Sequence, residues 1–149
     1  ISYHTILDIH KENGYLRKNP HFVNATGLHN QSHYTTVKDI SILLQYALTN
    51  ETFNNIFHSK SYSVAPTNQH LNGFTFYNSM FKLQDKWELD NDEIVGGKTG
   101  YTDEAGLCLA SEAIINDRKY ITITVNADEN HDTEPFHVYD AFYLYNQLE

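Results

Sequence analysis

Cysteine, long apolar runs and basic residues are all scarce in this 149-residue sequence, and each scarcity excludes a class of structure or partner. The single cysteine, Cys108, cannot form an internal disulfide, so the chain has no disulfide framework. No stretch approaches the roughly 20 apolar residues of a membrane-spanning helix. Only 10 basic residues stand against 19 acidic ones, for a formal net charge of -9, and the basic residues are scattered. Nucleic acid and anionic membrane surfaces are therefore not the expected partners.

The start of the sequence carries no targeting signal. Ile1-Ser2-Tyr3-His4 lacks the charged start and the apolar stretch of a signal peptide. We therefore expect either a cytoplasmic protein or a targeting segment outside this sequence. Apolar and aromatic residues at helical spacing over residues 3–13, followed by Gly14, predict that the sequence begins at or inside a helix.

Core-forming residues are abundant. Hydrophobic residues make up 40% of the chain, including eleven Tyr and eight Phe, which excludes the composition of disordered proteins. A chain of 149 residues also falls inside the usual range for one domain. We expect one folded unit spanning residues 1–149, alone or with a partner segment.

The clearest helix signal begins at Thr36. Thr36 followed by Asp39 resembles a capping box, and an apolar stripe after it predicts a helix to about Asn50. A shorter apolar cluster follows over residues 53–57. The segment before Thr36, punctuated by Asn19-Pro20, is predicted to be an irregular connector outside the core.

Alternating apolar and polar residues predict strands in the rest of the chain. The predicted strand ranges are 61–65, 73–77, 94–101, 105–115 and 120–127. Asn116-Asp117 is a tight-turn pair that predicts an antiparallel hairpin between the last two. A final helix is predicted with Asp132 or Thr133 as its cap, Pro135 in its first turn, and Val138, Phe142 and Tyr145 on its buried face. This order predicts a mixed α/β fold with an antiparallel sheet flanked by helices.

The most informative stretch contains Lys98-Thr99-Gly100. Lys-Thr-Gly is one of three motifs of class A β-lactamases and penicillin-binding proteins, beside Ser-x-x-Lys and a Ser-x-Asn-type motif. On a strand at the edge of a cleft, it offers an ammonium, a hydroxyl and a glycine that lets a substrate approach the backbone. These groups suit a peptide that ends in a free carboxylate and lies along the strand. For the tripeptide alone, the alternative is an ordinary surface lysine before a turn glycine.

The surroundings of the motif carry a wider resemblance. Gly97 to Thr102, with Ala105 to Ser111 after it, resembles the third motif and the following strand of the D-alanyl-D-alanine carboxypeptidases of serine peptidase family S11. Phe22 to His29 and His33 to Asp39 are similar to the stretch between that family's second and third motifs. Tyr77-Asn78-Ser79 resembles the approach to the third motif. These pieces occur in family order and cover most of the chain.

This resemblance implies a fold and a function. The fold would be β-lactamase/transpeptidase-like and incomplete, with residues 1–149 as the C-terminal portion of a penicillin-binding catalytic domain. The intact protein would be a serine hydrolase that trims the terminal D-Ala from peptidoglycan stem peptides through an acyl-enzyme, which β-lactams would trap. It would need no cofactor and would act outside the cytoplasm, in the bacterial cell envelope.

The resemblance also implies roles for individual residues. Lys98 would be catalytic, stabilising charge and keeping the proton network poised. Thr99 would hydrogen-bond the terminal carboxylate, and Gly100 would permit close approach. The backbone N–H of Tyr101 would supply half of an oxyanion hole. Ser79, by its position, would line the carboxylate pocket.

The family's nucleophile is not at its expected place. Only Ser79-Met80-Phe81-Lys82 satisfies Ser-x-x-Lys, and neither Ser-x-Asn nor Tyr-x-Asn occurs in the sequence. The setting of Ser79 predicts a strand end, which would place Lys82 on the opposite face, so we interpret this match as a decoy. We expect the segment with the nucleophile to lie outside this sequence, as a partner of this chain, and we predict that the chain alone is inactive.

Three alternatives stand beside this hypothesis. His29 and His33 could suggest a metal, but two ligands fall short of the three or four that zinc requires, so no metal site is predicted. We interpret Glu129, His131 and Asp132 as part of a solvated loop and not as metal ligands. A noncatalytic peptide-binding module of the same fold and a β-lactamase, which shares Lys-Thr-Gly, both stay open.

Overall fold

A computed structural model of the chain describes residues 20–86, 93–128 and 132–148. The helices and strands in these ranges are α1 Val37–Ala47, α2 Glu51–His58, β1 Ser61–Val64, β2 Phe74–Tyr77, α3 Ser79–Lys86, β3 Ile94–Thr102, β4 Gly106–Ile115, β5 Arg118–Ala127 and α4 Phe136–Tyr145. The helix predicted over residues 3–13 lies outside the described ranges. Within those ranges, none of the helices is both long and apolar enough to cross a membrane.

Helix α1 begins as the sequence predicts. The Thr36 hydroxyl accepts a hydrogen bond from the backbone N–H of Asp39 at 3.1 Å, and the Asp39 carboxylate accepts one from the N–H of Thr36 at 3.3 Å. This reciprocal pair confirms the capping box. The helix ends at Ala47, before the predicted Asn50, because the Asn50 side chain caps the next helix by accepting from the N–H of Phe53.

The connector before α1 contributes to the core, so the prediction that it stays outside is wrong at one position. Phe22 is 6% exposed. His21 and Tyr34 exchange two backbone hydrogen bonds of 2.8 and 3.0 Å, which close the connector into a loop around Phe22. The Phe22 ring then meets the His33 ring edge-on, at 5.2 Å between centroids.

The strands form two antiparallel sheets. β1 pairs with β2, and β3, β4 and β5 form a three-stranded sheet in that order. The turn between β4 and β5 is the predicted Asn116-Asp117, and both residues have positive φ, 51° and 60°. Two successive positive φ values match the right-handed twist of a two-residue hairpin, which Asn and Asp tolerate better than most residues.

Helices cover both faces of the three-stranded sheet, as the mixed α/β prediction requires. The α3 and α4 helices share one core cluster with the same face of β4. Its members include Met80, Phe81, Leu109, Ala113, Ile115, Val138, Phe142 and Tyr145. Glu112, the residue before Ala113 on β4, instead contacts α2. Because successive strand residues point to opposite faces, α2 lies on the other side of the sheet from α3 and α4.

The last helix begins later than predicted. Its first residue is Phe136, and Pro135 occupies the cap position without any side-chain hydrogen bond. The predicted cap at Asp132 or Thr133 and the predicted place of Pro135 in the first turn are therefore both wrong. Backbone carbonyls satisfy donors of the first turn instead: the N–H of Phe136 donates to Glu134 at 2.9 Å and that of Val138 to Pro135 at 2.8 Å. The predicted buried face of Val138, Phe142 and Tyr145 is confirmed.

Tyr145 of α4 contacts the sheet through its side-chain hydroxyl. It is fully buried, lies 3.1 Å from the Ser111 hydroxyl and accepts from the N–H of Thr122 at 3.1 Å. We predict that Tyr145→Phe lowers the free energy of unfolding by about 1 kcal/mol, because the Ser111 hydroxyl and the N–H of Thr122 each lose one hydrogen bond. Urea unfolding measures this. Tyr143→Phe, on an exposed tyrosine of the same helix, is the matched control and should leave the free energy unchanged.

Burial of His137 predicts a pH dependence of stability. Burial lowers the pKa of His137 from its ordinary 6.5, and Asp140 opposes this only in part. Between the folded pKa and about 6.5, the unfolded chain therefore binds a proton that the folded chain does not. The free energy of unfolding should fall as the pH drops below about 6.5, and less steeply in His137→Gln. Urea unfolding of the wild type and of His137→Gln at several pH values above and below about 6.5 checks this. The same dependence of the unfolding free energy on pH in both proteins would contradict it.

Candidate active site

Lys98-Thr99-Gly100 lies on β3, which is the end strand of its sheet among the described residues. Opposite these residues on β4 stand Ala110, Leu109 and Cys108. Leu109 belongs to the core that faces α3 and α4, so Thr99 lies on that face of the sheet. Lys98 and Gly100 lie on the α2 face. The motif thus presents its hydroxyl and its ammonium to the two sides of one strand edge.

Two glycines just before the motif allow both neighbouring helices to approach β3. A Cβ atom on Gly96 would lie 2.5 Å from the His58 ring of α2, and one on Gly97 would overlap the Met80 sulfur of α3. Both separations are far below van der Waals contact. A Cβ on Gly100 would meet no atom of the described residues within 4 Å. The strand is therefore held between two helices at residues 96–97 and open at Gly100.

Ser79 is the first residue of α3, so the prediction that it lies at a strand end is wrong. Lys82, one helical turn later, lies on the same side of α3 rather than across a strand. The helix forms here because Met80 and Phe81 are buried at 0% and 4% exposure. The Ser79 hydroxyl bonds the Thr99 hydroxyl at 2.5 Å, which brings together two of the predicted substrate-binding residues.

Asn78 is a further site residue that the sequence indicated only as part of a resemblance. Its side-chain amide donates to the carbonyl of Gly97 at 3.0 Å, and its side-chain oxygen accepts from the N–H of Met80 at 3.0 Å. One side chain therefore caps α3 and fixes it to the residue before Lys98. An asparagine directly before a helix start is the sequence signal that identifies such a cap.

Lys98 and Tyr101 are the remaining predicted site residues. The Lys98 side chain is exposed, and its ammonium donates to the carbonyl of Thr99. The Tyr101 hydroxyl donates to the Asp103 carboxylate at 2.9 Å. This hydrogen bond, followed by partial desolvation and the nearby carboxylates, raises the pKa of Tyr101 above 10.0, so the phenol stays protonated at neutral pH. The phenol is thus turned to Asp103, whereas the predicted role of Tyr101 concerns its backbone amide.

Two concave surfaces meet at Lys98. The first, the apolar groove, has a volume of about 790 Å³ and runs between α2, the β1-β2 hairpin and β3. Its walls include Phe53, Ile56, Tyr62, Phe76 and Tyr77, and all but Phe53 are among the exposed large hydrophobic side chains. The second, the motif cavity, has a volume of about 740 Å³ and contains Ser79, Lys82 and residues 98–102. Monomers rarely expose a contiguous apolar surface such as the first without a partner.

The histidines considered for a metal do not come together. His29 Nδ1 lies 3.6 Å from the Glu104 carboxylate, whereas His33 Nδ1 accepts from the N–H of Val23. Within the described ranges, no three His, Cys, Asp or Glu side chains are grouped around one point. Glu129 and His131 lie outside those ranges.

A comparison of the sequence with models of known protein families identifies the family of this chain. The sequence model described as D-alanyl-D-alanine carboxypeptidase, peptidase family S11, matches residues 10–129. The chain belongs to this family. This membership is what the order of the motifs in the sequence predicts. No curated protein matches the chain.

Solved structures of two related enzymes share the fold. The Streptomyces K15 DD-transpeptidase is 23% identical, with a TM-score of 0.74 over 96% of this chain and 50% of that one. The D-alanyl-D-alanine carboxypeptidase of Mycobacterium tuberculosis H37Rv is 16% identical, with a TM-score of 0.66 over 95% of this chain and 51% of that one. The chain thus spans about half the length of these two structures.

Proposed function

We propose that this chain is the substrate-binding half of a serine D-alanyl-D-alanine carboxypeptidase, and that the intact protein removes the terminal D-Ala from peptidoglycan stem peptides. One observation carries the proposal: Lys98-Thr99-Gly100 occupies a strand edge that no other described strand pairs, with Thr99 held by Ser79 and open space at Gly100. An open, glycine-bearing strand edge next to a cation and two hydroxyls suits an extended peptide with a free carboxylate.

The chemistry divides between this chain and the nucleophile. The peptide lies along β3, with its terminal carboxylate at the hydroxyls of Thr99 and Ser79 and its charge balanced by Lys98. A serine oxygen attacks the carbonyl of the penultimate D-Ala, the C–N bond breaks, and the serine proton passes through a base to the departing amine of the terminal D-Ala. Water then hydrolyses the ester. The N–H of Tyr101 and the N–H of the nucleophile stabilise the oxyanion in both steps.

The nucleophile in this proposal lies outside residues 1–149. Ser79 heads a helix one turn before Lys82, which is suitable spacing, but its hydroxyl bonds Thr99 rather than the Lys82 amine. A nucleophile needs a base within hydrogen-bond reach. Ser79 therefore serves as a carboxylate ligand, and this chain alone is inactive.

The apolar groove is the surface on which the nucleophile-bearing half of the domain packs. It adjoins Lys98, and its exposed walls include Ile56 at 68%, Tyr62 at 69% and Phe76 at 60% exposure. The related structures contain about as many residues again as this chain supplies. Burial of these side chains by a Ser-x-x-Lys segment would bring a serine to the α2 face of β3, where Lys98 lies.

The family implies the setting and the ligands of the intact protein. We place it in the bacterial cell envelope, on the outer side of the membrane, where peptidoglycan is found. β-Lactams are expected to acylate the same serine, and neither a cofactor nor nucleic acid is needed for the reaction.

Release of D-Ala tests this function. The intact protein is incubated with a tripeptide that ends in D-Ala-D-Ala and with its L-Ala-L-Ala counterpart, and free alanine is quantified. The proposal predicts release from the first peptide alone and slow turnover of penicillin. Fast penicillin hydrolysis without D-Ala release would indicate a β-lactamase. Binding of the D-Ala-D-Ala peptide without either reaction would indicate a noncatalytic module.

A further inference from the structure

Glu112 is a buried carboxylate in the middle strand of the sheet, on the face that carries Lys98. Its side chain is 3% exposed. It stands directly opposite Gly96 on β3, two residues before Lys98. A buried carboxylate requires hydrogen-bonding partners to offset the loss of water. Those partners identify what the residue holds in place.

Two side chains from different elements meet this carboxylate. His58, the last residue of α2, places its Nε2 at 2.6 Å from one carboxylate oxygen. Lys119 of β5 places its ammonium at 3.3 Å from the other, but it is 64% exposed and contributes less because water screens it. The short, half-buried contact with His58 is therefore the principal link, and it joins residues 54 positions apart.

The His58 ring is fixed on its other side as well. Its Nδ1 lies 3.1 Å from the side-chain oxygen of Asn54, one helical turn earlier. The Asn54 amide in turn donates to the carbonyl of Leu48 at the end of α1. The ring also fills the space that a Gly96 side chain would occupy. One histidine thus sets the separation between α2 and the strand that carries the motif.

We infer that His58 and Glu112 form a positioning pair for the active site, which holds the α2 wall of the apolar groove at a fixed distance from Lys98. The inference rests on the proposed function, since it assigns the pair to that same site. Phe57, next to His58, lines the groove with Lys98 and also packs on Gly96. Without the pair, α2 moves away from β3, and Lys98 loses its fixed position relative to any group docked in the groove.

The first test uses the intact protein and does not depend on activity. His58→Phe keeps an aromatic ring but removes the donor, and His58→Gln keeps a donor at the position of Nε2. Backbone amide exchange at residues 96–99 should accelerate on the order of tenfold in His58→Phe and return toward wild type in His58→Gln. Exchange in α4, across the sheet, should be unchanged. Uniform acceleration throughout the chain would mean a merely structural role and would overturn the inference.

The second test measures acylation of the intact protein by penicillin. The acylation rate should fall about tenfold in His58→Phe and in Glu112→Gln, and His58→Gln should recover most of it. His29→Phe removes an exposed contact with Glu104 of the same residue types and should have no effect. If Glu112→Gln fails to fold, the two His58 variants decide the matter.

The outcomes separate the two proposals. No acylation of the wild-type intact protein would refute the proposed function, while the exchange measurement would still decide whether the pair positions β3. Normal acylation of wild type and of His58→Phe alike would refute the positioning role and leave the function standing.

Discussion

Lys98→Met in the intact protein is expected to reduce the rate of acylation by penicillin by about 10²–10³-fold. In the proposed reaction, the ammonium of Lys98 lies on the open edge of β3, near the bound carboxylate and near the oxygen on which charge develops in the transition state. Methionine retains the length and the apolar stem of lysine but has no charge and no donor. Stopped-flow or quenched labelling with a fluorescent penicillin measures the rate.

Lys38→Met is the matched control for this experiment. Lys38 is also an exposed lysine, but it lies in α1, away from the motif. Its substitution should leave the acylation rate close to that of wild type. Full activity of Lys98→Met would show that the motif is an ordinary surface lysine before a glycine, the alternative that the tripeptide alone left open.

Gly97→Ala and Gly100→Ala are expected to affect different properties, although both add one methyl group to the same strand. At Gly97 the new carbon would overlap the buried Met80 sulfur, so the core must rearrange. We expect the free energy of unfolding to fall by about 2 kcal/mol. At Gly100 no atom of the described residues lies within 4 Å, so stability should change by less than about 0.5 kcal/mol.

For the acylation rate we expect a clear effect at Gly100, the position where stability changes least, because the substrate approaches the backbone there. Gly100→Ala should slow acylation of the intact protein while leaving its stability nearly unchanged, because the methyl group lies at the open strand edge, on the same side as Lys98. Urea unfolding and acylation rates of both variants are needed. Equal losses of stability at the two positions would mean that residues 96–97 are not held between α2 and α3 as described.

Local signals predicted the parts of the fold that local chemistry determines. Thr36 and Asp39 cap α1 through bonds between residues three apart, and Asn116-Asp117 turns the hairpin through its own backbone preferences. The motif could be placed on a strand for the same reason. The D-alanyl-D-alanine carboxypeptidase family followed from residues in a particular order, and the family comparison confirms it.

The geometry around the motif depends on contacts that no local pattern contains. Ser79 looked like a strand end because Phe74 to Tyr77 alternate before it, but Asn78 stops that strand and caps a helix through its bond to Met80. The bond between Ser79 and Thr99 joins residues 20 apart. The spacing of residues in the sequence does not predict which distant side chains form hydrogen bonds, because tertiary packing determines those contacts.

Labelling of residues 1–149 with a fluorescent penicillin, beside the intact protein, shows which part of the protein carries the nucleophile. We expect a covalent adduct on the intact protein and none on this chain, because the chain supplies the substrate-binding strand and not the nucleophile. An adduct on the isolated chain that is lost in Ser79→Ala would show that Ser79, one turn before Lys82, is itself the nucleophile.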